Sequence, residues 1–115
     1  MRIISDLQVH SKHARATSKD LSIPNLEKYG KIKGLNLIGT GDFQHPLHRK
    51  HIDENLEEDA NGILWTKKHE VAFLWQTEVS LMFSQNGKRR AVHVLIFSPN
   101  TNTSNEITKY LSAKG

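Results

Sequence analysis

Seven histidines fall within 115 residues, several of them where an apolar run gives way to a turn. Asp6, Gln8 and His10 alternate, so an extended segment projects all three to one face. Asp42 and His45 follow the turn Gly39-Thr40-Gly41, Glu78 follows an apolar run ending at Gln76, and His93 lies inside the run from Ala91 to Phe97. Imidazoles and carboxylates in this mixture can hold divalent ions while leaving positions open for water and a phosphoryl oxygen, which is what a hydrolytic metal centre requires. Each residue also has a plainer use. His93 taken alone reads as a hydrogen-bonded core histidine, Asp42 as a turn or cap residue, and Glu78 as a half-buried strand residue with an ion-pair partner. Asp6 and His10 are harder to explain that way, because a strand with polar residues along one face must use that face for something. There is no cysteine, which excludes disulfides, thiolate zinc sites and cysteine nucleophiles and leaves His, Asp, Glu and weaker oxygen donors for any metal.

The elements that must position these residues follow from periodicity and punctuation. Ile3 to Val9 reads as a strand. Ser22 and Pro24 open a helix that runs to Lys33 and stops at Gly34. Leu35 to Ile38 reads as a short buried strand, and Pro46 to about Glu58 as a surface helix or an irregular insertion. Val71 to Gln76 and Val79 to Phe83 are apolar runs, Asn86-Gly87 is a turn signal, and Ala91 to Phe97 has the near-continuous apolarity of a strand covered on both faces. Thr103 with Glu106 forms a capping box for a last helix toward Lys114. The expected class is α/β, with a largely parallel sheet or barrel plus one hairpin, built as one continuous unit. In such folds ligands gather at the carboxyl ends of strands, where Asp6, Gln8, His10, Asp42, His45, Glu78 and His93 fall. Pro46 places His45 in a loop, and His48 and His51 read as surface side chains. Trp65 and Trp75 read as core packing rather than base-stacking residues. The last helix stops where a further strand would normally follow, so an exposed sheet edge is expected, covered by a missing part of the same protein or by a partner.

A net charge of +4 is concentrated in short groups: Lys12, Arg15 and Lys19; Arg49-Lys50; Lys67-Lys68; and Lys88-Arg89-Arg90. Such groups suit a phosphate-bearing partner, although a solvated lysine-rich surface looks the same on charge alone. No stretch approaches the roughly 20 apolar residues of a membrane span. The first residues turn polar before a signal-peptide core could form, so no membrane partner and a cytoplasmic location are expected.

In combination the motifs resemble the PHP class of metal-dependent phosphoesterases, in the form of the endonuclease Q-like proteins. Asp6-Leu7-Gln8-Val9-His10-Ser11 resembles the first motif of that class, Gly39-Thr40-Gly41-Asp42-Phe43-Gln44-His45-Pro46 the second, and Gln76-Thr77-Glu78 the segment that carries a metal-bridging glutamate. His93 in Val92-His93-Val94 matches a histidine of the following strand. The resemblance implies the N-terminal part of a distorted (β/α)7 barrel, one partial domain over residues 1–115. It also implies up to three zinc or manganese ions held by His10, Asp42, His45, Glu78 and His93, with catalytic roles for Glu78 and Asp42 and nearby places for Asp6 and Gln8. The activity it implies is nicking of damaged DNA at deaminated or abasic positions; the charge groups would then supply Lys12, Arg15, Lys19, Lys88, Arg89 and Arg90 to grip the backbone phosphates. Two departures matter. Gln8 stands where the first motif has a histidine, and an amide oxygen is a poorer zinc ligand than imidazole. The later ligand motifs lie beyond Gly115, so the segment alone is expected to be inactive and to hold fewer ions or none. A phosphatase of small phosphomonoesters and a degenerate nucleic-acid-binding module are the alternatives.

Overall fold

The structure is a computed structural model in which residues 2–9 and 22–114 are described. Of the expected site residues, His10, Lys12, Arg15 and Lys19 lie outside them. Among the described residues, three helices and six strands form a mixed α/β fold. β1 (Ser5–Asp6), β2 (Leu37–Gly39) and β5 (Ala72–Gln85) run parallel. β6 (Lys88–Ser98) and β4 (Leu64–Trp65) pair antiparallel with β5, and β3 (Glu57–Glu58) antiparallel with β4. The order β1-β2-β5-β4-β3, with β6 also on β5, has no pairing that joins its ends among the described residues. Among the described residues the sheet is therefore mixed and open rather than largely parallel.

α1 (Ile23–Lys33) forms where the cap residues place it. The Ser22 hydroxyl accepts the Asn25 N–H at 3.3 Å, Pro24 stands in the first turn, Lys31 and Lys33 face the negative end of the helix dipole, and Gly34 closes the helix. Ile23 and Leu26 go into the core with Ile38, Phe43, Phe73 and Trp75. The Glu27 carboxylate, 4% exposed, accepts the Thr66 hydroxyl at 2.7 Å and the N–H groups of Glu70 and Val71, fixing the start of β5 against the helix.

Of the surface helix and the insertion expected there, the helix forms as α2 (Pro46–Asn55), and it packs inward through Ile52 and a polar residue. His48 is fully buried and donates from Nε2 to the Thr40 carbonyl at 2.9 Å, while Leu47 is 61% exposed. His51 Nε2 accepts the Ile23 N–H at 2.9 Å and so caps α1 from a neighbouring helix. The surface reading of both histidines is thus corrected: their ring nitrogens satisfy backbone groups that the meeting of α1, α2 and β2 removes from water.

The two apolar runs after Val71 are one 14-residue strand, and Asn86 (φ 53°) with Gly87 (φ 75°) makes the two-residue turn into β6 that their sequence predicts. β6 is not covered on both faces. From Lys88 to His93 it is exposed, as is β5 from Ser80 onward, because the hairpin extends past the other strands. α3 (Thr101–Lys114) starts two residues before the expected capping box: the Asn100 side chain accepts the Thr103 N–H at 2.8 Å, and Glu58 accepts the Thr101 N–H at 3.2 Å. An acceptor at the cap and a carboxylate at the positive helix end together outcompete a later start.

Candidate metal and phosphate site

Glu78 sits where β5 leaves the body of the fold, opposite Leu95, and His93 pairs with Ser80. The two therefore lie diagonally on one face of the hairpin, within reach of each other. His93 Nδ1 is 3.2 Å from Glu78 Oε1 and 3.0 Å from the Ser80 hydroxyl. His93 is exposed and Glu78 mostly buried, which corrects the reading of His93 as a core histidine. Gln8 crosses from the end of β1 and donates Nε2–H to Glu78 Oε2 at 2.9 Å. The structure thus brings together Gln8, from the segment after β1, with Glu78 and His93, which lie inside β5 and β6 rather than at strand ends. Asp6 is turned to its own strand, its Oδ1 accepting the Gln8 N–H at 3.3 Å.

Asp42 and His45 lie on the turn after β2. Gly41 (φ 71°) and Asp42 (φ 35°) both take left-handed backbone, and the His45 N–H donates to the Asp42 carbonyl at 2.9 Å, so the chain folds back directly into α2 with His45 as its N-cap residue. That turn is fastened to β5. Thr77 donates its hydroxyl to Gln44 Oε1. Gln76, wholly buried, accepts the Gly41 N–H on Oε1, and its backbone N–H and carbonyl both bond the Thr40 hydroxyl, at 3.1 and 3.2 Å. Sequence reasoning passed over Gln76 and Thr77 as polar residues at the end of an apolar run. The available signal was Gly39 on the neighbouring strand, since a Cβ there would stand 2.4 Å from Gln76 Oε1.

Among the described residues no group of three or more His, Asp or Glu side chains is close enough to hold an ion. Glu78 and His93 supply two adjacent donors of the right chemistry, a carboxylate and an imidazole, and fit part of an ion's shell. Of the basic residues, Lys88, Arg89 and Arg90 are exposed at the hairpin tip. Their register separates them: Arg89 opposes Ser84 and shares the face of Glu78 and His93, while Lys88 and Arg90 oppose Gln85 and Phe83 on the other face.

The whole arrangement has a close counterpart. The crystal structure of the lesion-specific endonuclease PfuEndoQ from Pyrococcus furiosus matches with a TM-score of 0.79 and 26% identity over 96% of this chain. The fold resembles that of a segment of endonuclease Q. A second endonuclease Q structure, complexed with a 27-mer duplex that has an abasic lesion at the active site, gives a TM-score of 0.76 and 27% identity over 92% of the chain. The chain spans 26% and 25% of those two endonuclease Q chains. An uncharacterized protein of Methanocaldococcus jannaschii is 51% identical over 62 residues, which make up 54% of this chain and 8% of that protein. No protein-family model matches. No helix among the described residues is long and apolar enough to cross a membrane.

Proposed function

We propose that this chain is part of a metal-dependent phosphodiesterase that nicks DNA at deaminated or abasic positions. The observation that carries the reading is the likeness to endonuclease Q over 96% of the chain, joined to the contact of Gln8, Glu78 and His93 on one face of the β5–β6 hairpin. Glu78 and His93 would hold zinc or manganese together with His10, Asp42 and His45. When bound, such ions polarise a phosphoryl oxygen and acidify water for in-line attack. The remaining work belongs to the chain's own side chains. Gln8 orients the Glu78 carboxylate through its amide N–H, Ser80 steadies the His93 ring, and Arg89 offers charge to a DNA phosphate on the same face. In this reading the open sheet is part of a distorted (β/α)7 barrel completed by further residues, and the 115 residues alone turn over little or nothing.

The test is a duplex carrying one deoxyuridine or one abasic site, incubated with Mn²⁺ or Zn²⁺ and either the longer protein or this chain alone. Nicking by the longer protein, lost on chelation and reduced on the order of 100-fold or more by Glu78→Gln, is expected. Cleavage indifferent to that substitution removes the site, and robust turnover by the 115 residues contradicts their inactivity. One observation favours a second reading, a nucleic-acid-binding module without hydrolysis: Gln8 occupies Glu78 Oε2 with a hydrogen-bond donor. Retained DNA binding with no bound metal would select it.

A further inference from the structure

We infer that Gln76 is a positioning residue, whose single amide oxygen fixes the two chain segments that carry the candidate ligands. Gln76 Oε1 accepts the N–H of Val9 at 3.2 Å and the N–H of Gly41 at 3.2 Å. Val9 immediately precedes His10, and Gly41 immediately precedes Asp42. Two residues further along β5 stands Glu78, on the same face as Gln76. One side chain of β5 thus ties down the exits of β1 and β2, two parallel strands that each lead into a residue of the proposed site. The oxygen lies in the buried interior, where Gln76 and Thr40 are fully buried and Val9 is 7% exposed. Both N–H groups point at one atom, so that atom must be the acceptor end of the amide. The amide nitrogen has no hydrogen-bond partner among the described residues. A buried amide whose donor end meets no partner among the described residues is a poor choice for packing alone, since unmade hydrogen bonds cost stability. What it contributes is a double acceptor. Gly39 leaves the room it needs, as a Cβ there would fall within 3.0 Å of Gln76 Cβ and closer still to Oε1.

The functional half of this inference rests on the metal-site reading above, and the experiment separates the two. Amide hydrogen exchange is measured on this chain, and Mn²⁺ affinity on the longer protein that the proposed function calls for, in each case for the wild type and for Gln76→Met, Gln76→Glu and Gln76→Asn. Gln76→Met keeps volume but removes the acceptor, and Gln76→Asn is one methylene short of both N–H groups. Each should speed exchange at Val9 and Gly41 by about 10-fold or more, leave the β5–β6 amides unchanged, and weaken Mn²⁺ binding about 10- to 100-fold. Gln76→Glu retains the reach and the acceptor, so it should keep Val9 and Gly41 protected even though a buried carboxyl lowers the melting temperature more than Met does. A role in stability alone predicts the opposite order, with exchange following melting temperature, and that order overturns the inference. Unchanged exchange in Gln76→Met overturns it too, as does loosened exchange with unaltered Mn²⁺ affinity. Wild-type protein that binds no Mn²⁺ while exchange still depends on the Gln76 acceptor removes the metal-site reading and upholds the fastening of the two segments.

Discussion

His48 carries more of the fold than its polarity announces. Its imidazole is the only side chain seen donating to the Thr40 carbonyl among the described residues, and both groups are fully buried. His48→Phe fills similar space but leaves that carbonyl without its donor, so a loss of about 1–3 kcal/mol is expected, read as a lower urea midpoint at unchanged slope. The sequence hid this residue because a buried histidine and an exposed one look alike in a polar helix, and Leu47, the apolar neighbour that should have marked the inner face, points outward. Gln76 escaped for the same reason. Asp59 gives a prediction in pH. Its carboxylate accepts the Trp65 indole N–H at 2.9 Å and the N–H groups of Asn61 and Ile63, with His69 stacked on Trp65. The Trp65 hydrogen bond first, then those of Asn61 and Ile63, hold the Asp59 carboxyl below its usual value. A depressed carboxyl stabilises the fold at every pH above its unfolded value, and that contribution is lost as pH falls through the folded one. The Trp65 indole N–H resonance should therefore hold steady down through the ordinary aspartate range, near pH 3.9, and shift only below it. Asp59→Asn should abolish that shift.

At the scale of elements, Arg49 joins two helices. From α2 it donates to the Ser104 hydroxyl at 3.1 Å and to Asn105 Oδ1 at 2.7 Å on α3, while its guanidinium lies 4.2 Å from the centre of the Trp75 ring. Lysine offers neither the planar fork nor the stacking. Arg49→Lys should loosen α3, with faster amide exchange confined to Thr101–Lys114. The hairpin makes a second prediction. If the proposed DNA contact runs across the face of Glu78 and His93, Arg89→Ala should lower both affinity and the salt slope, the slope by about 1, while Arg90→Ala leaves them near wild type. Equal losses would mean that charge acts without regard to face. The main elements could be read from the sequence because their signals were local: Ser22-Ile23-Pro24, Asn86-Gly87 and the apolar runs at Leu37 and Phe73. β3 and β4 could not, since two-residue strands have no period to detect. The extent of β5 was missed because Gln76-Thr77-Glu78 breaks the apolar run at the point where the strand carries its polar residues.

For the molecule as a whole, the hairpin decides the shape. The radius of gyration is 15.0 Å with a longest extent of 51 Å, against roughly 13 Å for a compact domain of about 100 residues. The excess is in strands that reach beyond the core. On the face opposite Glu78 and His93, the register brings Val79 beside Val94 and Leu81 beside Val92, with Phe83 next along β5. Leu81, Phe83 and Val92 are 54%, 45% and 45% exposed. A contiguous apolar stripe on an exposed two-stranded arm is an association hazard, and an arm with so little packing beneath it cannot depend on that stripe for stability. Two measurements should consequently separate. The 115-residue chain is expected to associate with rising concentration in sedimentation velocity, and Leu81→Thr combined with Phe83→Thr should suppress that association. Threonine keeps β propensity, so the same pair should leave the melting temperature of the core within a few degrees. Unfolding of the whole chain by the double substitution would instead mean that the stripe is already packed in solution and that the arm does not stand clear of the body.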